Sequence, residues 1–420
     1  SAAPSISIGL LSILAVVTGY FGISGETATV VMIVLPLILS FLLYQFRNKA
    51  NRREAHGILR SSFIILFLYC LFSTIIVSIF FVSQLDGPSS FFQQPDNVSH
   101  LAKIKEIAID GNYSTLTTSS YPLDLVSSGK APYSSVSFYP NGFLVLASFA
   151  VSILGVSAPL AENSAVFVFA AFVYPSAMYY LIKTIFNDDV KCHISGILAT
   201  SAFASFPLAL LVFGPLYPSM AAFCCVPAVA ATFINLFSLD SKNTLVVRAF
   251  LFILMSVGAA TLQPNSIFTL GVFLIPFCCK EIYKYVQRIK PDYRGRALLA
   301  SFGFILFVII LWVGLYKSPA LSSVTSFNWA ALDDPISGIF NVLTLSLRIH
   351  VPQFLLSILT IFGIIITCLE KGRRWLCASF LLMCCLYYFG NTSDTIIKQI
   401  LTGFWYSDQW RTAASCAIMA

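Results

Sequence analysis

The chain has 420 residues, of which 58% are hydrophobic and only 10% charged, with a formal net charge of +7. Soluble globular domains carry about a quarter charged residues, and a mean hydropathy of +0.84 leaves too few polar side chains to cover a surface in water. The composition excludes an ordinary soluble enzyme. It predicts an all-α polytopic membrane protein, a transmembrane helix bundle of about 11–13 spans at about 20 apolar residues per crossing.

The placement of the positive charge argues against a nucleic-acid partner. Five of the 25 basic residues fall in 47–60, six in 280–296 and three in 371–374, all short links between apolar runs. That is the positive-inside pattern, and it assigns those links to the cytoplasmic side. The 11 cysteines lie almost entirely in apolar runs, where cysteine behaves as a small hydrophobe. Without a Cys-x-x-Cys motif they predict neither a zinc site nor a disulfide framework. The chain stops at Ala420 inside a fresh apolar run, so a further C-terminal part is expected.

Residues 5–23 and 28–46 read as two spans joined at Ser24-Gly25-Glu26, and with the basic link they make a first segment, 1–60. The remainder, 61–420, reads as the main transmembrane domain. A span over 61–83 delivers the chain outside at Gln84, which makes 84–142 a large extracytoplasmic loop with five acidic residues against three lysines. Within it Val98, Leu101, Ile104, Ile107 and Ala108 recur at helical spacing, while Lys103, Lys105 and Glu106 fall off the stripe. This predicts a short helix lying on the membrane surface or against the bundle. A Ser/Thr/Gly-rich coil over 111–130 follows. An aromatic-polar strip over 133–142, including Tyr139-Pro140, then opens the apolar run 143–158.

Further apolar runs cover 164–186, 194–213 and 219–238, with Gly214-Pro215-Leu216-Tyr217-Pro218 between the last two. Residues 245–279 form a longer run broken at Gln263-Pro264-Asn265. Proline with two amides there marks a kink, a turn or a cavity-lining break. Six apolar runs between the outer loop and the basic link at 280–296 return the chain to the wrong side. One run is therefore expected to be re-entrant, or one break not to be a turn, with 143–158 and the halves around Pro264 as the candidates. Beyond the link, 297–316 runs outward, 317–350 is a second outer loop, 352–369 returns, 376–389 runs outward and 390–411 is a third outer stretch.

Few residues combine reactive chemistry with the outer side. Asp96 and His100 stand at i and i+4, one face of a helix that begins near Asp96. A carboxylate there serves either as a general base or as a ligand to a divalent cation. The same Asp, between Pro95 and the helix, also reads as an N-cap. Asp408 and Arg411 stand at i and i+3 and read as an ion pair, or Arg411 as a phosphate contact, because its planar fork suits phosphate oxygens. Asp333-Asp334-Pro335 reads as a helix cap with proline at N1. Arg348 and His350 are a secondary candidate at another outer mouth. Predicted spans nearly free of charge argue against ion coupling.

Several short motifs recur in a telling order: Asp96-x-x-x-His100-Leu101, Tyr139-Pro140, Gly214-Pro215-Leu216-Tyr217-Pro218, Pro264-Asn265 and Trp405-Tyr406-x-Asp408-x-x-Arg411. Together they resemble a family of large actinobacterial multi-pass proteins that is similar in plan to the type-C (GT-C) glycosyltransferases. The resemblance implies a GT-C-like transmembrane domain that takes a sugar from a polyprenyl-phosphate or polyprenyl-diphosphate donor. It implies an acceptor in a cell-envelope glycan or lipid, on the outer face of a bacterial plasma membrane. Carried over residue by residue, Asp96 becomes the catalytic base or a divalent-cation ligand, and His100 its neighbour in the site. Arg411 becomes the donor-phosphate contact, with Asp408, Tyr139 and Asn265 in support. Two other readings stay open: a lipid-linked sugar flippase or transporter with Gln263-Pro264-Asn265 lining its path, and a non-catalytic membrane scaffold of the same plan.

Overall fold

The computed structural model describes residues 2–23, 25–48, 55–131, 136–187, 189–238, 242–289, 294–349 and 351–420. Tyr133 and His350, and parts of the basic links at 47–60 and 280–296, lie outside the described residues. Among the described residues the secondary structure is helical throughout, without a strand. Contacts group the chain into two compact units, Ser1–Ser201 with Leu210–Ser266, and Ala202–Ala209 with Ile267–Ala420.

Eight stretches among the described residues are long and apolar enough to cross a membrane, which makes this a multi-pass helical membrane protein. Four shorter apolar helices accompany them: Gly25–Ile38, Gly142–Leu154, Val190–Ala199 and Phe354–Leu369.

The first unit contains α1 (Ala3–Tyr20), α2 (Gly25–Asn48), α3 (Ala55–Phe80), α4 (Pro95–Asp110), α5 (Leu123–Ser127), α6 (Gly142–Leu154), α7 (Ala158–Val168), α8 (Tyr174–Phe186) and α9 (Val190–Ala199). After the five-residue α10 (Leu208–Val212) come α11 (Tyr217–Ile234) and α12 (Lys242–Leu262). Apolar side chains gain little by leaving lipid for protein, so close backbone approach through small residues holds such helices together. The buried face of α1 follows that rule, with Ser5, Ile8, Gly9, Ser12, Ala15 and Thr18. It meets α12 where a Cβ on Gly9 would lie 2.2 Å from the Leu254 carbonyl oxygen, and the Ser12 and Thr261 hydroxyls bond at 2.6 Å. Nearly all of α11 is buried, and it contacts α8 and α12.

The structure resolves part of the conflict raised by the six apolar runs. Gln263-Pro264 is a turn between two helices that are each long enough to span, Thr244–Leu262 and Asn265–Ile289. The halves around Pro264 are therefore not the short elements. The other candidate, 143–158, is a short apolar helix, Gly142–Leu154, and the run over 194–213 is broken as well, into α9, a turn region at Thr200–Pro207 and α10. Ten residues of α9 rise only about 15 Å, half of a hydrocarbon core.

The second unit contains most of α13 (Asn265–Ile289), then α14 (Arg294–Tyr316), α15 (Ser322–Thr325), α16 (Pro335–Leu343), α17 (Phe354–Leu369), α18 (Arg374–Thr392), α19 (Ile396–Thr402) and α20 (Gln409–Met419). Its core is α18 against α20, α19, α17 and α16. Polar hydrogens on large apolar residues fix the packing. The Trp405 indole donates to the Thr269 hydroxyl at 2.9 Å and the Trp312 indole to the Ile400 carbonyl at 2.8 Å.

Candidate active site

Helix α4 starts with Pro95 at its first position, which suits proline because that N–H would be unbonded anyway. The N-cap is Gln94, and no side chain caps the helix. This corrects the capping role expected for Asp96. It lies inside the first turn, where a negative charge complements the helix dipole, and its side chain is exposed. Among the described residues the Asp96 carboxylate makes no hydrogen bond or ion pair.

The buried face of α4 also differs from the apolar stripe. Val98 is 63% exposed, while Asn97, His100, Lys103, Ile104 and Ile107 are buried. The helix thus turns three polar residues inward, toward α6 and the head of α7. Asn97 donates to the Phe92 carbonyl at 3.0 Å. Lys103 bonds the Ser99 hydroxyl and holds its ammonium 4.7 Å from the Tyr139 ring centre. Burial pushes the Lys103 amine below its ordinary value.

Facing His100 on that side is Glu162, a residue the sequence reading does not single out. It sits in the second turn of α7, inside the candidate span Ala158–Phe186, and is fully buried. Its Oε1 lies 3.9 Å from His100 Nδ1. No hydrogen bond within 3.5 Å reaches either carboxylate oxygen among the described residues, although the Asn97 side chain also lies close enough to act on the carboxylate. The neighbouring Asn163 donates to the carbonyls of Pro88 and Ser90 at 3.1 and 2.7 Å, tying the segment before α4 to the same turn. The spans are nearly free of charge, as expected, and Glu162 is a carboxylate that one of them nevertheless carries. The apolar window over 164–186 begins two residues too late to include it.

Tyr139 joins this cluster because its backbone is fixed. Its N–H donates to the Thr115 carbonyl at 2.9 Å, and the Thr115 hydroxyl donates to its carbonyl at 2.5 Å. Asn141, just before α6, donates to the Thr118 hydroxyl at 3.0 Å. Asn265 is buried at the turn between α12 and α13, and its amide donates to the Ser219 hydroxyl at 3.5 Å.

Asp408 and Arg411 belong to the second unit. Asp408 is the N-cap of α20 and accepts from the Trp410 N–H at 2.7 Å. Its other oxygen accepts from Arg411 at 3.0 Å, and the guanidinium lies 4.5 Å from the Tyr406 ring centre. Burial raises the Asp408 carboxyl above its ordinary value, with Arg411 and the cap N–H pulling the other way. Tyr406 and Ser407, the two residues before the cap, both adopt left-handed backbone conformations at φ 62° and 51°. Such strain costs about 1–3 kcal/mol per residue and persists where surrounding structure holds it. Here the N–H groups of Tyr406, Ser407 and Asp408 all bond back to carbonyls of Thr402–Trp405.

A second arginine lies in the same unit. Arg348 stacks 5.3 Å from the Trp410 ring centre, and its Nη1 is 4.0 Å from Asp333 Oδ1. Asp333 also accepts from the amides of Asn341 and Asn391. Its neighbour Asp334 does cap α16, accepting from the N–H groups of Ile336 and Ser337 at 2.9 and 3.1 Å. The two adjacent carboxylates thus have separate tasks, one capping and one binding a buried network.

The structure brings Asp96, His100, Lys103, Tyr139 and Glu162 to one helix and its neighbours in the first unit. It gathers Asp408, Arg411, Arg348 and Asp333 in the second. Among the described residues no group of three or more His, Cys, Asp or Glu side chains forms a metal cage. A divalent cation at Asp96 would take its other ligands from water or substrate, as Mg²⁺ commonly does.

Comparison with curated proteins and with solved structures gives no match. A family model does match, over residues 1–420, and the chain belongs to that family, described as a family of unknown function (DUF6541).

Proposed function

We propose that this protein is a membrane glycosyltransferase of type-C plan. It would move a sugar from a polyprenyl-phosphate-type donor to a cell-envelope glycan or lipid, at the outer face of a bacterial plasma membrane. The observation that carries the reading is Asp96: an exposed carboxylate, without a hydrogen bond or ion pair among the described residues, on a helix anchored against the head of a candidate span. A general base must be accessible to its substrate and held on a rigid element. Asp96 meets both conditions. The acceptor hydroxyl would give its proton to Asp96 while its oxygen bonds the anomeric carbon. The bond from that carbon to the donor phosphate breaks, and the electron pair leaves on the phosphate oxygen. Arg411, in the second unit, is by its own chemistry a candidate phosphate contact, since a guanidinium matches phosphate oxygens in charge and fork geometry.

The test is sugar transfer by the purified chain from a polyprenyl-phosphate-linked sugar in lipid nanodiscs. Asp96→Asn should lower the rate by on the order of 10²–10⁴-fold, the usual worth of a general base, with the folded yield unchanged. Normal transfer by a well-folded Asp96→Asn variant sinks the catalytic role.

A second reading, a proton-linked carrier of lipid-linked sugars, draws support from Glu162, because an ionisable residue within a span usually marks a translocation or proton path. Flux into proteoliposomes that depends on a pH gradient, without any sugar transfer, favours it over the first.

A further inference from the structure

We infer that Glu162 is a positioning residue for His100, and that the pair carries away the proton collected by Asp96; the second half of this rests on the transfer reading above. Glu162 is 0% exposed, comes from a different helix, and directs its carboxylate at Nδ1 of the imidazole across 3.9 Å. That separation exceeds a hydrogen bond, and catalytic hydrogen bonds are commonly long before substrate binds. A buried acceptor without a donor is costly, by roughly 1–3 kcal/mol for a neutral group and more for a charged one. Two donors from α4 face it: the Asn97 amide, which also bonds the Phe92 carbonyl, and the His100 ring N–H at 3.9 Å.

The consequence is a defined tautomer. With Nδ1–H donated to Glu162, the lone pair of the neutral imidazole resides on Nε2, as second groups fix it in other histidine sites. His100 stands one helical turn from Asp96, and residues at i and i+4 are neighbours on a helix surface. A proton taken by Asp96 from the acceptor hydroxyl then passes to Nε2, directly or through water. Asp96 returns to its ionised form, and the imidazolium is balanced by Glu162 until it releases the proton to solvent. The other titratable groups near the pair are few. Lys103 lies on α4 itself, Tyr217 comes from α11 within the field of Glu162, and α6 carries no titratable side chain.

The chain has four histidines, so ring-nitrogen NMR of labelled protein in nanodiscs is tractable, with His100→Asn giving the assignment. In the wild type the neutral His100 ring should carry its proton on Nδ1. In Glu162→Gln the His100 titration midpoint should fall by about one pH unit, since an opposite charge within reach favours the imidazolium, and Glu162→Asp should restore most of it. Sugar transfer should slow in Glu162→Gln, with its acid limb moved to lower pH. An Nε2–H tautomer in the wild type overturns the proposal without any variant having to fold. An unchanged midpoint in a folded Glu162→Gln also overturns it. If the tautomer and midpoint behave as expected but the wild type transfers no sugar, the transfer reading and the relay fall while the Glu162–His100 pairing stands.

Discussion

Arg411 is held from two sides at the start of α20: its guanidinium is 3.0 Å from the Asp408 carboxylate and 4.5 Å from the centre of the Tyr406 ring. Asp408 is itself fixed by the Trp410 N–H, and the preceding left-handed pair, Tyr406 and Ser407, fixes the approach. A guanidinium restrained in this way keeps its outer edge pre-oriented, which reduces the side-chain entropy lost when an anion binds.

Asp408 gives this arrangement a pH dependence of known sign. Burial raises its carboxyl, so the folded chain holds that proton more tightly than the unfolded chain. The contribution is therefore fully present below the unfolded value and is lost as pH rises through the raised folded value. Asp408→Asn removes that slope, so its melting temperature in detergent should depend less on pH in the acidic range than that of the wild type. The same variant weakens the cap only slightly, because Asn caps nearly as well as Asp. Asp408→Ala should cost about 1 kcal/mol more, through the lost cap. A steeper acidic slope in Asp408→Asn would contradict the assignment.

Gly111 ends α4 in a left-handed conformation, at φ +64°. A Cβ added there would lie 2.1 Å from the Gly25 Cα, so the end of α4 touches the start of α2 backbone to backbone. Gly129 has nearly the same φ, +68°, but nothing lies within 4 Å of its added Cβ. Gly129→Ala should therefore cost only the left-handed penalty of about 1–2 kcal/mol. Gly111→Ala must add a backbone clash and should melt at distinctly lower temperature. Equal melting temperatures for the two variants would rule out the close contact.

Much of this molecule was legible in the sequence because lipid imposes a simple rule on composition. Long apolar runs became helices, Asp334-Pro335 became a cap, and the polar loop after residue 84 yielded the short helix read from the spacing of Ile104 and Ile107. Other features were hidden, because they depend on what a helix meets. Lys103 looks solvent-facing in isolation, yet it is buried beside Tyr139, and Val98 looks apolar and inward, yet it is exposed. Asn97 and His100 face Glu162 on another helix far along the chain, and no local periodicity records that. The residue itself was readable: an acid next to an apolar run is a signal whenever the run is extended to its helix start at Ala158. The broken run at 194–213 was hidden for a related reason, because it is apolar throughout although its helix stops at Ala199.

Lys398 tests how the segment over 329–333 is held. Its side chain is fully buried, and its ammonium donates to the Trp329 carbonyl at 2.5 Å with Asp394 at 3.6 Å. Nearby, Gln409 donates to the Ala330 carbonyl at 2.8 Å, and the Leu332 and Asp333 N–H groups bond the Asn391 carbonyl. A segment without regular structure is thus pinned along its length by donors and acceptors from α18, α19 and α20. Lys398→Met keeps the volume and removes one pin. It should destabilise the protein by about 1–3 kcal/mol through the unsatisfied carbonyl, and should speed amide exchange at Trp329–Ala331 selectively. Uniform exchange across the unit would refute a local tether.

The adjacent pair Asp333 and Asp334 separates two kinds of carboxylate in one experiment. Asp334 caps α16 from an exposed position, and three hydrogen bonds from Ile336 and Ser337 hold its carboxyl below the ordinary value. Asp334→Asn retains a capping oxygen and should alter the melting temperature little. Asp333 faces inward, with Asn341 and Asn391 donating to it and Arg348 at 4.0 Å. Asp333→Asn replaces an acceptor-only group by one that must present an N–H to other donors. It should cost about 1.5–3 kcal/mol, the worth of hydrogen bonds to a charged group, and release the Arg348 side chain from its stacking on Trp410. Quenching of Trp fluorescence by iodide reads that release, because Trp410 becomes more accessible when the guanidinium leaves its face. If Asp334→Asn proves the more damaging of the two, the division of roles between cap and network is wrong.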